Sequence, residues 1–201
     1  MLHRLPPIFG RRASLPALPV APILLDGPWT HGLALSLHSD GDAHTAAGDL
    51  LSRYKYAEER ELGGVLASAL VEALSTHPEY GRVQIVVHPP GTQRQGFEPA
   101  GELAIAVARR LRARGLPRLV AHTRRTASQK DLHTWGEKGA NVSGAFRVRR
   151  PDLVRGRAVL VIDDVFDSGA TLREMHRALT EAGAAEVLVA TVTKTNFQVE
   201  R

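Results

Sequence analysis

AVLVIDDVFDSGATL occupies residues 158–172. Ala158 to Ile162 is an unbroken apolar run, which suits a strand buried on both faces. Two carboxylates follow it, Asp163 and Asp164. Asp167, Ser168, Gly169, Ala170 and Thr171 then turn the chain into a helix. The small side chains at 168–171 leave backbone N–H groups able to close around an anion, and the helix N-terminus adds its positive end. Ser168 and Thr171 contribute hydroxyl donors. The carboxylates can accept sugar hydroxyls or hold a hydrated Mg²⁺. In this order, a strand, an acidic tip, a small-residue loop and a helix start make a site for a phosphorylated ribose. The plainer reading is a strand whose polar end carries a helix N-cap. Agreement of order, spacing and residue type favours the site.

Working outward, strands alternate with helices from residue 84 to residue 193. Gln84–Val87 reads as a short buried strand, Leu103, Ala106, Val107 and Leu111 as one helix face, and Leu119–His122 as a further strand. Gly115-Leu116-Pro117 is expected to end the helix between them. After the opening stretch come a helix with Leu172, Met175 and Leu179 inward, Gly183 as its stop, and a last strand at 187–192. This alternation predicts an α/β fold with a largely parallel sheet flanked by helices and a ligand site at the carboxyl ends of its strands. The loops after Val87, His122 and Asp163 are expected to meet there.

The amino-terminal part is of a different kind. Six of the twelve prolines lie in residues 1–30, which read as an extended surface segment. Arg11-Arg12 precedes an apolar stretch, but Pro16, Pro19 and Pro22 interrupt any helical signal core, so a cytoplasmic location is expected. Leu33, Leu35 and Leu37 alternate with smaller or polar residues as a half-buried strand. The expected division is 1–45, an irregular segment with a hood strand, and 46–201, the main domain. Ala47, Leu50, Leu51 and Tyr54 follow helical spacing, and Glu61–Leu74 reads as a second helix. Between them RYKYAEE, residues 53–59, offers either a nucleobase or nucleic-acid contact or two tyrosines at the core edge. Residues 123–143 have no clean apolar period and read as a long functional loop.

Composition narrows the class. A chain of 201 residues, 43% hydrophobic and 23% charged, suits one globular domain with a small appendage. There is no Cys, which excludes a disulfide framework and Cys-ligated zinc. No apolar stretch reaches membrane length, so no membrane partner is expected. The net charge is +5, and only four of the 26 basic residues are Lys. Arginine favours bidentate contact with phosphates. A basic surface suits nucleic acid or polyphosphate, although no run of five basic residues occurs and a scattered bias stands equally open.

The loop His88 to Phe97, HPPGTQRQGF, combines Pro89, Pro90, Gly91, Arg94 and Gly96. Its glycines and Arg94 suit a diphosphate held through backbone N–H groups and a guanidinium. His88 by itself reads as a strand-end residue.

The 158–172 stretch resembles the motif with which type I phosphoribosyltransferases bind PRPP (5-phosphoribosyl 1-diphosphate). Over residues 50–195 the order YKY, HPP, R-x-G-F-x-x-A-x-x-L-A, Q-x-x-L, N-V-x-G-A-F and the acidic motif is similar to the ComF-type phosphoribosyltransferases, a family linked to natural competence and DNA uptake. Arg94, Gly96, Phe97 and Leu103 match one family segment, and Gln129, Leu132, Asn141, Gly144, Ala145 and Phe146 another. Three departures stand out. The family's Cys-rich zinc ribbon has no counterpart, and His3, His31, His38 and His44 lack ligand spacing, so no zinc is expected. Glu98-Pro99 stands where the family usually has Asn-Gln. Asp167 replaces a common Thr; with Lys194 it is similar to the base and purine-contacting lysine of purine-salvage enzymes, or else it caps the loop while Lys194 is solvated.

The resemblance implies a type I phosphoribosyltransferase fold with a small N-terminal hood and displacement at ribose C1 with Mg²⁺ as cofactor. Asp163, Asp164 and Asp167 would be catalytic, with Asp163 and Asp164 also holding the metal. Ser168, Gly169, Ala170 and Thr171 would hold the PRPP phosphate, while Pro89, Pro90, Arg94, Lys130 and Lys138 would hold the diphosphate. Lys194 and Phe197 would lie beside an unidentified nucleobase or amine acceptor. The rival reading is a non-catalytic PRPP or phosphate sensor that binds single-stranded DNA or a competence or replication partner. A homodimer is compatible with either.

Overall fold

The apolar run and its acidic tip form one strand. In the computed structural model, Ala158–Phe166 is extended throughout (β9), so the acid pair expected just past the strand lies inside it. The cause is Glu186–Lys194 (β10), which pairs in parallel beyond the apolar residues: Asp163 lies opposite Thr191, Val165 opposite Thr193 and Phe166 opposite Lys194. The structure describes residues 18, 21–57, 59–91, 96–124 and 134–196.

Around this pair the sheet is completed by Ile23–Leu24 (β1), His31–Leu37 (β2), Ile85–Val87 (β5) and Arg114–Gly115 (β6), in the order β1-β2-β10-β9-β5-β6. Every pairing is parallel except that of β1 with β2. Ser39–Asp40 (β3) and Ala43–His44 (β4) make a small hairpin, and Val120–His122 (β7) and Phe146–Val148 (β8) a second antiparallel ribbon. The helices are Ala46–Tyr56 (α1), Leu62–Ser75 (α2), Pro99–Leu111 (α3), Trp135–Val142 (α4) and Ala170–Glu181 (α5). No helix among the described residues is long and apolar enough to cross a membrane.

Strand alternation divides the core in two. Leu160 and Ile162 of β9 join Leu33, Leu35, Val86 and Leu188 beneath α1, α2 and α3. Val159 and Val161 join Ala34, Val189, Met175 and Leu179 on the side of α5. The parallel sheet covered on both faces therefore agrees with the sequence reading.

Four local expectations are corrected. The strand at 31–37 belongs to the main sheet, beside β10, and is no hood strand. Gly32 to Leu35 are all buried, because Gly32 and Ala34 are small enough for the second face to be covered as well. The strand at 120–122 leaves the sheet to pair with β8, and the edge position falls to β6. The helix before it ends at Leu111, where Arg112 takes a left-handed conformation (φ 55°) and donates its N–H to the last turn. Gly115, expected to end that helix, instead brings β6 against α3; a Cβ there would lie 3.2 Å from that of Ala108. Finally, residues 123–143 contain α4. Its start is a capping box, with the Thr134 hydroxyl accepting from Glu137 N and Glu137 accepting from Thr134 N.

A buried carboxylate fixes the β7–β8 ribbon to α5. Glu174, 5% exposed, accepts from Phe146 N (3.1 Å) and from Arg177, which also donates to the Phe146 carbonyl (2.9 Å). Although burial raises the Glu174 carboxyl, these donors outweigh it and hold it below the usual range. Glu174→Ala strands the Phe146 N–H and leaves Arg177 with Glu181 as its remaining carboxylate partner. We expect a loss of about 2–3 kcal/mol in urea denaturation, below the full cost of breaking a buried ion pair because Arg177 is partly solvated. A loss under ~0.5 kcal/mol would contradict this.

Candidate functional site

A parallel sheet opens at the carboxyl ends of its strands. There the structure has a cleft of about 580 Å³. Its lining includes Pro89, Pro90 and Gly91 after β5, His122 at the end of β7, and Asp163 through Leu172. The loops after Val87 and Asp163 meet there as expected; at the third position His122 and, from α4, Lys138 and Val142 line the cleft, while residues 125–133 of the loop between them lie outside the described residues.

The floor is the acid pair and the turn into α5. Successive strand positions project to opposite faces, and Asp164 meets Lys55 of α1 at 2.6 Å. Lys55 is aimed by its neighbour. Tyr54 is 1% exposed, stacks edge-on against Phe97 (5.1 Å) and donates to the Pro99 carbonyl (3.3 Å), which locks the last turn of α1 to the start of α3. Tyr56, 65% exposed, stands on the cleft wall. Of the two readings of residues 53–59, the core-edge one holds for Tyr54, while Lys55 and Tyr56 face the cleft. Burial lowers the Lys55 ammonium, but the Asp164 charge and hydrogen bond outweigh it and raise it overall. Asp163 moves the other way: burial, then the Asp164 charge, push its carboxyl up to about 7.

The loop closes tightly. Gly169 has φ 73°, a conformation costly for residues with a Cβ. A Cβ there would also lie 2.8 Å from the Phe166 ring and 2.6 Å from Arg173. Ser168 is buried; its hydroxyl accepts from Ala170 N (3.3 Å) and its carbonyl from Arg173 (2.8 Å). Asp167 accepts from the Thr195 hydroxyl (3.1 Å) on one oxygen and is ion-paired to Lys138 of α4 on the other. Lys138, expected as a diphosphate ligand, thus enters the cleft as the partner of Asp167.

The Pro89–Gly91 loop differs from its sequence reading. Pro89 and Pro90 have no N–H to offer, and Gly91 N already donates to Glu98 Oε1 (3.0 Å). Their carbonyls turn inward, Pro89 O onto the buried His88 ring (2.8 Å) and Pro90 O onto His122 (3.0 Å). Arg94, Lys130 and Phe197 lie outside the described residues. Lys194 ends β10 opposite Phe166 and does not line the cleft, whereas Thr195 does. His38, Ser52, Lys55, Glu98, His122 and Thr195 line the cleft without having been picked out as site residues. For Glu98 the departure from the family pattern was the available signal. Lys55 and His38 depend on long-range packing that no local pattern reports.

Comparison with known proteins bears on this geometry. Residues 66–200 match the family model described as the phosphoribosyl transferase domain. DNA utilization protein YhgH of Escherichia coli is 31% identical over 148 residues, 70% of this chain and 63% of the relative, so the chain spans slightly less than two thirds of that protein. Competence protein ComFC of Streptococcus pneumoniae is 28% identical over 161 residues, 78% of this chain and 67% of the relative. Among solved structures, glutamine phosphoribosylpyrophosphate amidotransferase from B. subtilis superposes with a TM-score of 0.46 at 18% identity, over 70% of this chain and 30% of that one, a partial overlap that supports nothing further. The chain belongs to the phosphoribosyl transferase domain family, and its relatives place it with the ComF-type proteins.

The raised Asp163 carboxyl has a measurable consequence. A folded pKa above the unfolded value means that the folded state binds more protons, so stability falls as pH rises from about 4 to about 7. Asp163→Asn removes that loss. Thermal melts of the ligand-free protein should show the variant more stable by about 1–3 kcal/mol above pH 7, within the ceiling of ~1.4 kcal/mol per pH unit, with the gain fading toward pH 4. A gain independent of pH would contradict the assignment.

Proposed function

We propose that the cleft binds PRPP with Mg²⁺ and that the protein transfers the 5-phosphoribosyl group to a nitrogen acceptor, releasing diphosphate. The observation that carries this reading is the convergence of Asp163, Asp164 and the 168–171 turn in one cleft at the carboxyl edge of a parallel sheet. The family membership supports it.

Each group has a task in this reading. The amides of 168, 169 and 171 and the Thr171 hydroxyl hold the 5-phosphate at the start of α5, joined by the Ala170 amide once it leaves the Ser168 hydroxyl. Asp163 and Asp164 accept the ribose hydroxyls, and their negative charge favours the ring as it becomes oxocarbenium-like. The C1–O bond to diphosphate breaks, the acceptor nitrogen bonds to C1, and the acceptor's proton leaves. Mg²⁺ is commonly held by one or two carboxylates together with ligand phosphates, and neutralises charge on the departing group. An adjacent pair in which one carboxyl is driven toward neutrality by burial and by the other fits that mode, since a dication relieves the repulsion. Arg94 and Lys130 are proposed to complete the diphosphate side. Lys194 and Phe197 are proposed to contact the acceptor, and Tyr56 and His38, which line the cleft, are further candidates for that contact. Asp167 is anchored on both oxygens, by Lys138 on one and Thr195 on the other. That favours a positioning role over that of a purine base.

A second reading has its own observation. Arg112, Arg114, Arg118, Arg147 and Arg149 are exposed around the edge strand and the β7–β8 ribbon, with no acidic partner among the described residues. The names of the relatives, DNA utilization and competence, are consistent with single-stranded DNA on this edge.

Calorimetry with PRPP and Mg²⁺ tests the main reading. Asp163→Asn combined with Asp164→Asn should weaken binding by about 1–3 kcal/mol, the scale of lost charged hydrogen bonds. Unchanged binding would sink the site assignment. Diphosphate release should appear with at least one member of a panel of nucleobases and simple amines. Release with none, together with salt-sensitive DNA binding, would favour the binder.

A further inference from the structure

One group on the cleft wall has no task in the reaction above. Glu98 precedes α3, and its side chain, instead of capping that helix, reaches back seven residues to accept the Gly91 N–H at 3.0 Å. Its second oxygen faces His88 Nε2 at 4.0 Å. The His88 ring is 2% exposed; its Nδ1 donates to the Pro89 carbonyl, and its Nε2 has no hydrogen-bond partner among the described residues.

The backbone around Glu98 is cut to fit a carboxylate. A Cβ at Gly91 would lie 2.6 Å from Glu98 Oε1. A Cβ at Gly101 would lie 3.2 Å from Oε2 and 3.1 Å from His88 Nε2. Two glycines, one amide donor and one buried imidazole thus surround an anionic group that belongs to the protein itself. Of residues 89–91, Gly91 is the only one with an N–H to give. An incoming phosphate group seeking the amide of this loop finds a carboxylate already on it.

We propose that Glu98 is a built-in competitor for anions at the Pro89–Gly91 end of the cleft: its carboxylate occupies the Gly91 amide, and a diphosphate-bearing ligand gains this subsite only by displacing it. The proposal rests on the reading of the cleft as a PRPP site and adds the control of its diphosphate half. Its consequence is a sign. A residue that merely holds the loop in shape would weaken binding when removed. A competitor strengthens binding when removed, and does so only for ligands that carry the diphosphate.

The test is calorimetric titration of the whole chain with inorganic diphosphate plus Mg²⁺, and separately with ribose 5-phosphate, which has a phosphate for the 168–171 turn and no diphosphate. Glu98→Ala frees the amide. Glu98→Gln keeps the shape without the charge and serves if the alanine variant does not fold. We expect diphosphate to bind about two- to fivefold more tightly to Glu98→Ala, the weight of one partly screened like-charge contact, and more tightly by a smaller factor to Glu98→Gln, whose amide oxygen can still accept the Gly91 N–H, with ribose 5-phosphate unchanged. Equal or weaker diphosphate binding while ribose 5-phosphate still binds would overturn the role of Glu98 and leave the site reading standing. Failure of both ligands on wild type and variants would overturn the site reading, and this proposal with it.

Discussion

The pairing of β9 with β10 is the constraint on which the site depends. Parallel ladders are usually buried and apolar, yet here the ladder continues past Ile162 through Asp163, Val165 and Phe166. Main-chain hydrogen bonds thereby hold two adjacent carboxylates at fixed height above the core. They also set the point at which the chain turns, at Gly169, into α5. The apolar faces below, with Val159, Leu160, Val161 and Ile162 all 0% exposed, make that position rigid. The acid pair is therefore carried by a packed core, as a preorganised binding group requires.

Charge in the cleft is balanced internally in part. Lys55 answers Asp164 and Lys138 answers Asp167, each lysine arriving from a helix outside the 158–172 stretch. Asp163 receives the Asp164 amide (2.9 Å) and has no ion pair of its own among the described residues, so burial and the Asp164 charge outweigh the Lys55 charge and drive its carboxyl upward. At the other end of the cleft the Gly91 amide carries Glu98. In the proposed reading, ligand binding is an exchange of partners, with the protein's own ion pairs as the competing state. Affinity in such a site is set by differences between two sets of contacts, so modest changes of charge move it appreciably.

Much of this was legible in the sequence, and the remainder was not for identifiable reasons. Ala158 to Ile162 announced a strand buried on both faces, and the Asp-Ser-Gly-Ala-Thr turn announced its loop, because both are local patterns. The inclusion of Asp163 and Asp164 within the strand depended on β10, over 20 residues away in sequence. The helix at 135–142 lacks an apolar period, and its one local signal is the Thr134-x-x-Glu137 capping box. Residues 31–37 alternated like a half-buried strand, while Gly32 and Ala34 concealed a second buried face. Lys55 could be noticed in a basic-aromatic cluster, but its pairing with Asp164 follows from how Tyr54 seats α1 against α3. The Pro89–Gly91 loop misled as a source of amides because two of its three residues are prolines and Glu98 takes the third.

The central claim is that the turn after β9 is where a phosphorylated ribose is held. Amide chemical shifts followed by NMR during titration with PRPP and Mg²⁺ test it most directly. The account predicts that the largest changes fall on the amides of Ser168, Gly169, Ala170 and Thr171, with Asp163 and Asp164 next. Changes concentrated on the arginine-rich edge around Arg114 and Arg149, with the 168–171 amides still, would contradict it.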